Sequence, residues 1–319
     1  MRNRLHIIAA CADRKRAKPA HALCLRAHRS TPKKARLQSF IEALESATGE
    51  AIPAVDLYVG AYWATVRELP ALAAGLDFEA TLWVASAGYG LMPATSSVHA
   101  YSATFQVGVL DSVSTGPSEH SVRDQVLAWW EGLASWKGPA RRSPRQIADL
   151  VADDPHATVI VIASPRYVQA MRRDLRSAGH VLRDRLLVVS SIAADGEVGL
   201  APMLIPSEAS LLPVVGGSLP SLHARVARDI ILGSRKHGLR APEIQARYRQ
   251  LIASSDYAGM PQRDNATDAE VVAFAHKALK GRPDLTHTPA LRMWRDGGRA
   301  CEQKRFKRIF QEVVSRHVR

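Results

Sequence analysis

The chain has 319 residues, 46% of them hydrophobic, and a net charge of +13, enough apolar material to bury a sizeable core and too much for a disordered or fibrous chain. Its three cysteines, Cys11, Cys24 and Cys301, are odd in number and lack metal-ligand spacing, which argues against a disulfide framework and a zinc site. No apolar run nears the ~18 residues of a membrane span, and the Arg-rich start carries too short an apolar segment for a secretory signal, so a cytoplasmic protein is expected.

In chain order, "LHIIAA" at 5–10 predicts a strand buried on both faces. It lies in a stretch, residues 1–36, with 11 Lys and Arg against the single acid Asp13. "ARLQSFIEALESA" and "AYWATVRELPALAAGL" repeat apolar residues every three or four positions and predict helices; "TLWVAS" at 81–86 predicts the second strand. There follow a helix in "SVRDQVLAWWEGLASW", an exposed basic loop "GPARRSPRQ" at 138–146 and a strand "TVIVIAS" at 158–164. The helix "PRYVQAMRRDLRSAG" then ends on Gly179 as its cap, and "RLLVVSS" at 185–191 is the fourth strand. This alternation implies an α/β fold, a mostly parallel sheet flanked by helices, in which ligands bind beyond the carboxyl ends of the strands. Those ends carry Cys11 with Asp13, Ser86 with Gly88, Ser164 with Pro165, and Ser190 with Ser191, a candidate pocket rim.

Past Gly233 the chain changes to short Arg-rich helices without further strands, which divides it into an α/β domain, 1–233, and a smaller C-terminal helical domain, 234–319. Residues 234–319 hold 18 basic and nine acidic side chains, whereas residues 37–233 hold 14 and 20. Positive ends around an acidic body are the footprint of phosphate-backbone binding, set against a merely solubilising cationic surface. In the last segment Arg299, Lys304, Arg305, Lys307 and Arg308 can track phosphates. Trp294, Phe306 and Phe310 at helical spacing suit a core better than a stacking platform.

Two motifs carry candidate chemistry. In "WVASAGYGLMPATSSVHAYSATF", residues 83–105, Gly88 and Gly90 flank Tyr89 and permit close approach to a ligand, although a tight turn explains them equally well. His99 and Tyr101 share one face if that segment is extended, and their polar tips, with Ser86, can hydrogen-bond a base. In "AVDLYVGAYWATV", Asp56 accompanies Tyr58, Tyr62 and Trp63. Aromatics with one carboxylate suit a pocket that stacks a planar ring and stabilises positive charge on a sugar, although Asp56 also fits an N-cap.

The ordered elements "IIAACADRKR", "AVDLYVGAYW" and "WVASAGYGLMPATSSVHAYSATF" resemble those of an uncharacterised bacterial family with Cys-Ser-Lys-x-Lys, Asp-Leu-Tyr-x-Gly and Ser-Ala-x-Tyr-Gly-Leu motifs. The peroxide-stress DNA-binding family has a similar Tyr-Gly-Leu element, and both resemble uracil-DNA-glycosylase-like α/β domains. The likeness covers residues 5–105 and matches Cys11, Arg14, Lys15, Asp56, Tyr58, Gly60, Ser86, Tyr89, Gly90, Leu91 and Tyr101. Asp13, Gly88 and His99-Ala100 depart from it, and the absence of lysine at 88 excludes a Schiff-base lyase through that position.

The resemblance implies a DNA glycosylase of the anti-phage kind that excises glucosylated hydroxymethylcytosine and leaves abasic sites; with no Walker loop, metal-protease pair or nuclease-like carboxylate cluster in the sequence, no metal or cofactor is expected. Base flipping would be driven by phosphate contacts, and a carboxylate, Asp56 first and Asp13 as the alternative, would stabilise the oxocarbenium ion. On this expectation His99 is a further catalytic candidate, Cys11, Tyr58, Tyr62, Trp63, Ser86, Gly88, Tyr89 and Tyr101 bind the base, and Arg14, Lys15 and Arg16 hold phosphates. A base-exchange enzyme acting on tRNA or DNA and a non-catalytic DNA-binding stress protein are the rival readings.

Overall fold

The computed structural model describes residues 3–115, 118–191, 199–257 and 264–317. Its strands are β1 (Asn3–Ala10), β2 (Ile52–Pro53), β3 (Phe78–Ser86), β4 (Gly90–Pro93), β5 (Ser97–Val98), β6 (Thr158–Ile162), β7 (Leu186–Ser190), β8 (Leu204–Pro206), β9 (Asp264–Asn265) and β10 (Arg299–Ala300). The helices of the sheet-bearing part are α1 (Lys33–Glu45), α2 (Ala54–Leu57), α3 (Ala61–Ala74), α4 (Glu119–Ser135), α5 (Ile147–Asp153), α6 (Pro165–Leu182), α7 (Leu212–Val215), α8 (Leu222–Leu232), α9 (Ser234–His237) and α10 (Ala241–Ala253). Helices α11 (Asp268–Gly281), α12 (His287–Asp296) and α13 (Gln303–His317) follow.

Six strands form one sheet in the order β4-β3-β1-β6-β7-β8, parallel except for the β3–β4 hairpin. The four apolar runs read from sequence are its four central strands. They are apolar throughout because helices cover both faces, and Ile7 of β1, paired with Leu82 and Ile160, is wholly buried. The crossover from β1 runs toward β3 and that from β6 toward β7, so right-handed connections send α3 and α6 to opposite faces. Helix α8 packs beside α3, and α4 and α5 pack beside α6.

Gly179 is not a cap. Helix α6 continues through it to Leu182, and the Met203 methyl packs where a Cβ would stand, 2.5 Å from it.

The division of the chain falls at Tyr257–Ala258, not at Gly233. Helix α10 belongs to the sheet-bearing unit because Ala241, Ile244 and Tyr248 are buried in its core. Gln245 Nε2 also donates to the carbonyls of Ala201 and Leu204 at 2.8 and 2.7 Å. The second unit, residues 258–319, has a separate core in which Trp294, Phe306 and Phe310 are buried with Val271, Ala275 and Ile309. Its first helix starts at a capping box between Thr267 and Glu270. No described helix is long and apolar enough to cross a membrane.

Candidate functional site

The tyrosines of the two motifs meet beyond the end of β3, but they close on one another. Tyr58 stacks on Trp63 with ring centroids 4.8 Å apart, and Tyr58, Trp63, Ser86 and Tyr101 are all wholly buried. Ser86 Oγ accepts the amides of Gly88 and Tyr89 at 3.1 and 2.9 Å, which leaves its proton to donate to Tyr101 Oη at 2.7 Å; Tyr101 Oη in turn lies 3.1 Å from Tyr58 Oη. Gly88 is needed for the Tyr101 ring, since a Cβ would lie 2.4 Å from it, and not for approach of a ligand. Burial raises the pKa values of Tyr58 and Tyr101 well above the ordinary phenol value, so both phenols stay neutral. Tyr58, Trp63, Ser86, Gly88 and Tyr101 are therefore packing residues and none is free to stack or bond a base.

Lys15 joins this cluster. It pairs with Tyr58 across an antiparallel bridge, its Nζ lies 4.5 Å from the centre of the Tyr101 ring, and it donates to the carbonyls of Ala12 and Asp13 at 3.2 Å. Burial lowers its pKa. The expected phosphate contact at Lys15 is thus an inward-facing ammonium, whereas Arg14 and Arg16 on either side are exposed and have no side-chain partner among the described residues.

The open crevice lies one strand over, between the carboxyl ends of β1 and β6, where the chain's crossovers diverge. Two cavities of about 430 and 450 Å³ meet there and share Cys11, Ser164 and Tyr167. Cys11 Sγ lies 2.9 Å from Tyr167 Oη. The first cavity adds Arg14, Tyr62 and His223, and the second adds Asp13, Thr104 and Arg166. Tyr62 is held by donating to the Ile162 carbonyl at 3.0 Å, and Arg166 by an ion pair with Glu119.

His223 Nδ1 lies 2.8 Å from the Ser207 hydroxyl, and burial pushes its pKa down to about 4, so the ring is neutral at pH 7. The 14-residue α3 and the 18-residue α6 both begin at this crevice, with Gly60 and Ser164 as N-caps and no side chain on their first amides. Free helix N-termini and Arg14 favour an anion at the mouth. Gln106 and Val107 extend the rim into a loop whose Val107, Val109 and Leu110 are exposed.

Of the expected site residues, the structure brings Cys11, Asp13, Arg14 and Tyr62 to the crevice. It places Asp56 elsewhere: half-buried in α2, lining none of the cavities described here and without a hydrogen-bond partner among the described residues; Pro53 and Gly60, not Asp56, precede the helices on either side. His99 and Tyr89 line a different cleft, where the Tyr89 hydroxyl bonds the His99 backbone. In the second unit Arg299 pairs with Glu270, and Arg305 and Arg308 with Asp268, while Lys304 and Lys307 are exposed. Sequence reasoning missed Tyr167 and His223. Ser164-Pro165 at the strand end pointed toward Tyr167, three residues on, but nothing in the chain's pattern marks His223.

Among the described residues no cluster of three or more His, Cys, Asp or Glu is arranged to hold a metal ion. Comparison with known proteins finds no matching family model, no matching curated protein and no matching solved structure.

Proposed function

We propose that the protein is a DNA glycosylase that takes an extruded, modified nucleotide into the β1–β6 crevice and hydrolyses its N-glycosidic bond. The observation that carries the reading is Asp13: it is the one carboxylate among the residues lining the two cavities, and it stands where β1 ends at the divergence of the crossovers. Each cavity lies within the ~300–1,000 Å³ of ordinary ligand pockets. Their junction at Cys11 gives a base and a bulky substituent separate chambers, as a glucosylated hydroxymethylcytosine requires.

On this reading Arg14, Arg16 and the N-termini of α3 and α6 hold the phosphates, which offsets the few kcal/mol of unstacking. Val107, Val109 and Leu110 fill the gap the nucleotide leaves in the stack. Asp13 stabilises positive charge on the deoxyribose or orients water, and the neutral donors Tyr167 and His223 hydrogen-bond the departing base.

The test is incubation with plain, hydroxymethylated and glucosylated DNA, alkali treatment to break abasic strands, and mass spectrometry of the released bases. One modified base should be released by the natural chain. Asp13→Asn should keep DNA binding and lose at least ~100-fold in release, the scale of one catalytic carboxylate, while Asp56→Asn keeps both. DNA or tRNA binding without any base release would sink the proposal.

A further inference from the structure

A cleft of about 920 Å³ takes no part in the crevice. It lies between α1 and the carboxyl end of α4, and Trp136, Tyr89 and His99 line it beside the loop that begins at Lys137. Half-buried Trp136 forms an aromatic wall, backed by the buried Tyr89 ring, which lies nearly parallel to it with centroids 5.9 Å apart. The loop presents Lys137, Arg141 and Arg142, all exposed and none with a side-chain partner among the described residues.

Beneath the wall Arg145 is buried, its guanidinium donating to the carbonyls of Tyr89, Leu91, Leu133 and Trp136, and no described carboxylate pairs with it. Burial lowers its pKa to about 10, so it remains charged at pH 7. The acid on the cleft, Glu45, is already engaged, accepting from Trp136 Nε1 at 2.7 Å. Lys137 and Arg141 therefore line the cleft against one engaged carboxylate, with exposed Arg142 beside them and buried Arg145 beneath, an excess of positive charge that favours a polyanion.

We infer that this cleft binds single-stranded DNA, with phosphates on Lys137, Arg141 and Arg142 and a base against the Trp136 wall. The inference rests on the nucleic-acid reading above but on none of its chemistry. A duplex keeps its bases stacked on one another and away from an aromatic wall, whereas an unpaired strand offers phosphate and ring faces together, the combination that cations beside aromatics recognise.

The test is fluorescence anisotropy of the full chain with labelled single-stranded DNA, duplex DNA and single-stranded RNA of equal length, from 50 to 300 mM salt. The triple variant Lys137→Glu, Arg141→Glu, Arg142→Glu changes only exposed side chains, and circular dichroism checks its fold. It should lose about 100-fold in affinity for single-stranded DNA, with a salt slope shallower by about 2, from ~0.7 per phosphate contact. Trp136→Ala should lose about tenfold, the scale of one base–aromatic stack. Unchanged affinity and slope in the triple variant overturn the assignment, as does a loss confined to duplex or to RNA. If the natural chain binds no DNA at all, the glycosylase reading falls too; if it binds DNA and releases base while the triple variant behaves normally, only this cleft's role falls.

Discussion

Two strand ends, β3 and β1, look alike in sequence and end differently in space. Each is an apolar run that stops at small or polar residues, Ser86 with Gly88 and Cys11 with Asp13. Beyond β3 the hairpin to β4 folds back, and Ser86, Tyr58 and Tyr101 are wholly buried and hydrogen-bonded to one another, out of a ligand's reach. Beyond β1 the crossovers part, two helices begin with uncapped amides, and Asp13 and Arg14 face open space. Polar groups that complete each other make a core; those whose partners are missing make a site.

Variants at the sealed end should change stability and leave binding alone. The largest effect is expected from Gly88→Ala, which drives a methyl into the buried, hydrogen-bonded Tyr101 ring and should lower unfolding free energy by about 3 kcal/mol in denaturant titration. A smaller cost, near the wild type's, would mean that the ring can yield and that the cluster is less tightly closed than its contacts indicate.

The crevice has its own signature in pH. His223 has a folded pKa of about 4, below its unfolded value near 6.5, so the unfolded chain binds the extra proton between those values. Its contribution is complete above pH 6.5 and is lost as pH falls toward 4, by about 2 kcal/mol after allowance for its partial exposure. His223→Gln should flatten that part of the stability profile; an unchanged profile would assign the dependence to other groups.

The smallest effect sharpens the comparison most. Tyr101→Phe removes a hydroxyl that touches Ser86 and Tyr58, which should cost about 1.5 kcal/mol of stability while DNA affinity and base release stay at wild-type level. A selective loss of release at unchanged stability would return Tyr101 to the site.

The sheet was legible because strands covered on both faces must be apolar along their whole length, and 5–10, 81–86, 158–164 and 185–191 show it. Strands β4 and β8, of four and three residues, are too short to show a period. The boundary was misplaced because α10 carries arginines as α12 and α13 do, and what ties it to the sheet, the inward face of Ala241, Ile244 and Tyr248 and the Gln245 bonds, has no mark in composition. The rule that ligands sit at strand ends led to Cys11, Asp13 and Ser164. It could not tell an open end from a filled one, because that depends on which neighbours fold back over it. Tyr58, Trp63 and Tyr101 read as a stacking pocket since the chemistry of aromatic stacking is the same whether the second ring is a base or another side chain.

The run Arg14-Lys15-Arg16 is a row of like charges on paper, yet the bridge to Tyr58 turns its middle member inward and its neighbours out. The three positions therefore obey different rules of replacement. Arginine and lysine should interchange at 14 and 16 with little consequence, whereas at 15 a broad, flat guanidinium has to enter a space shaped around a compact ammonium above the Tyr101 ring. Drift between the two cations should be free at the ends of this tripeptide and arrested at its centre.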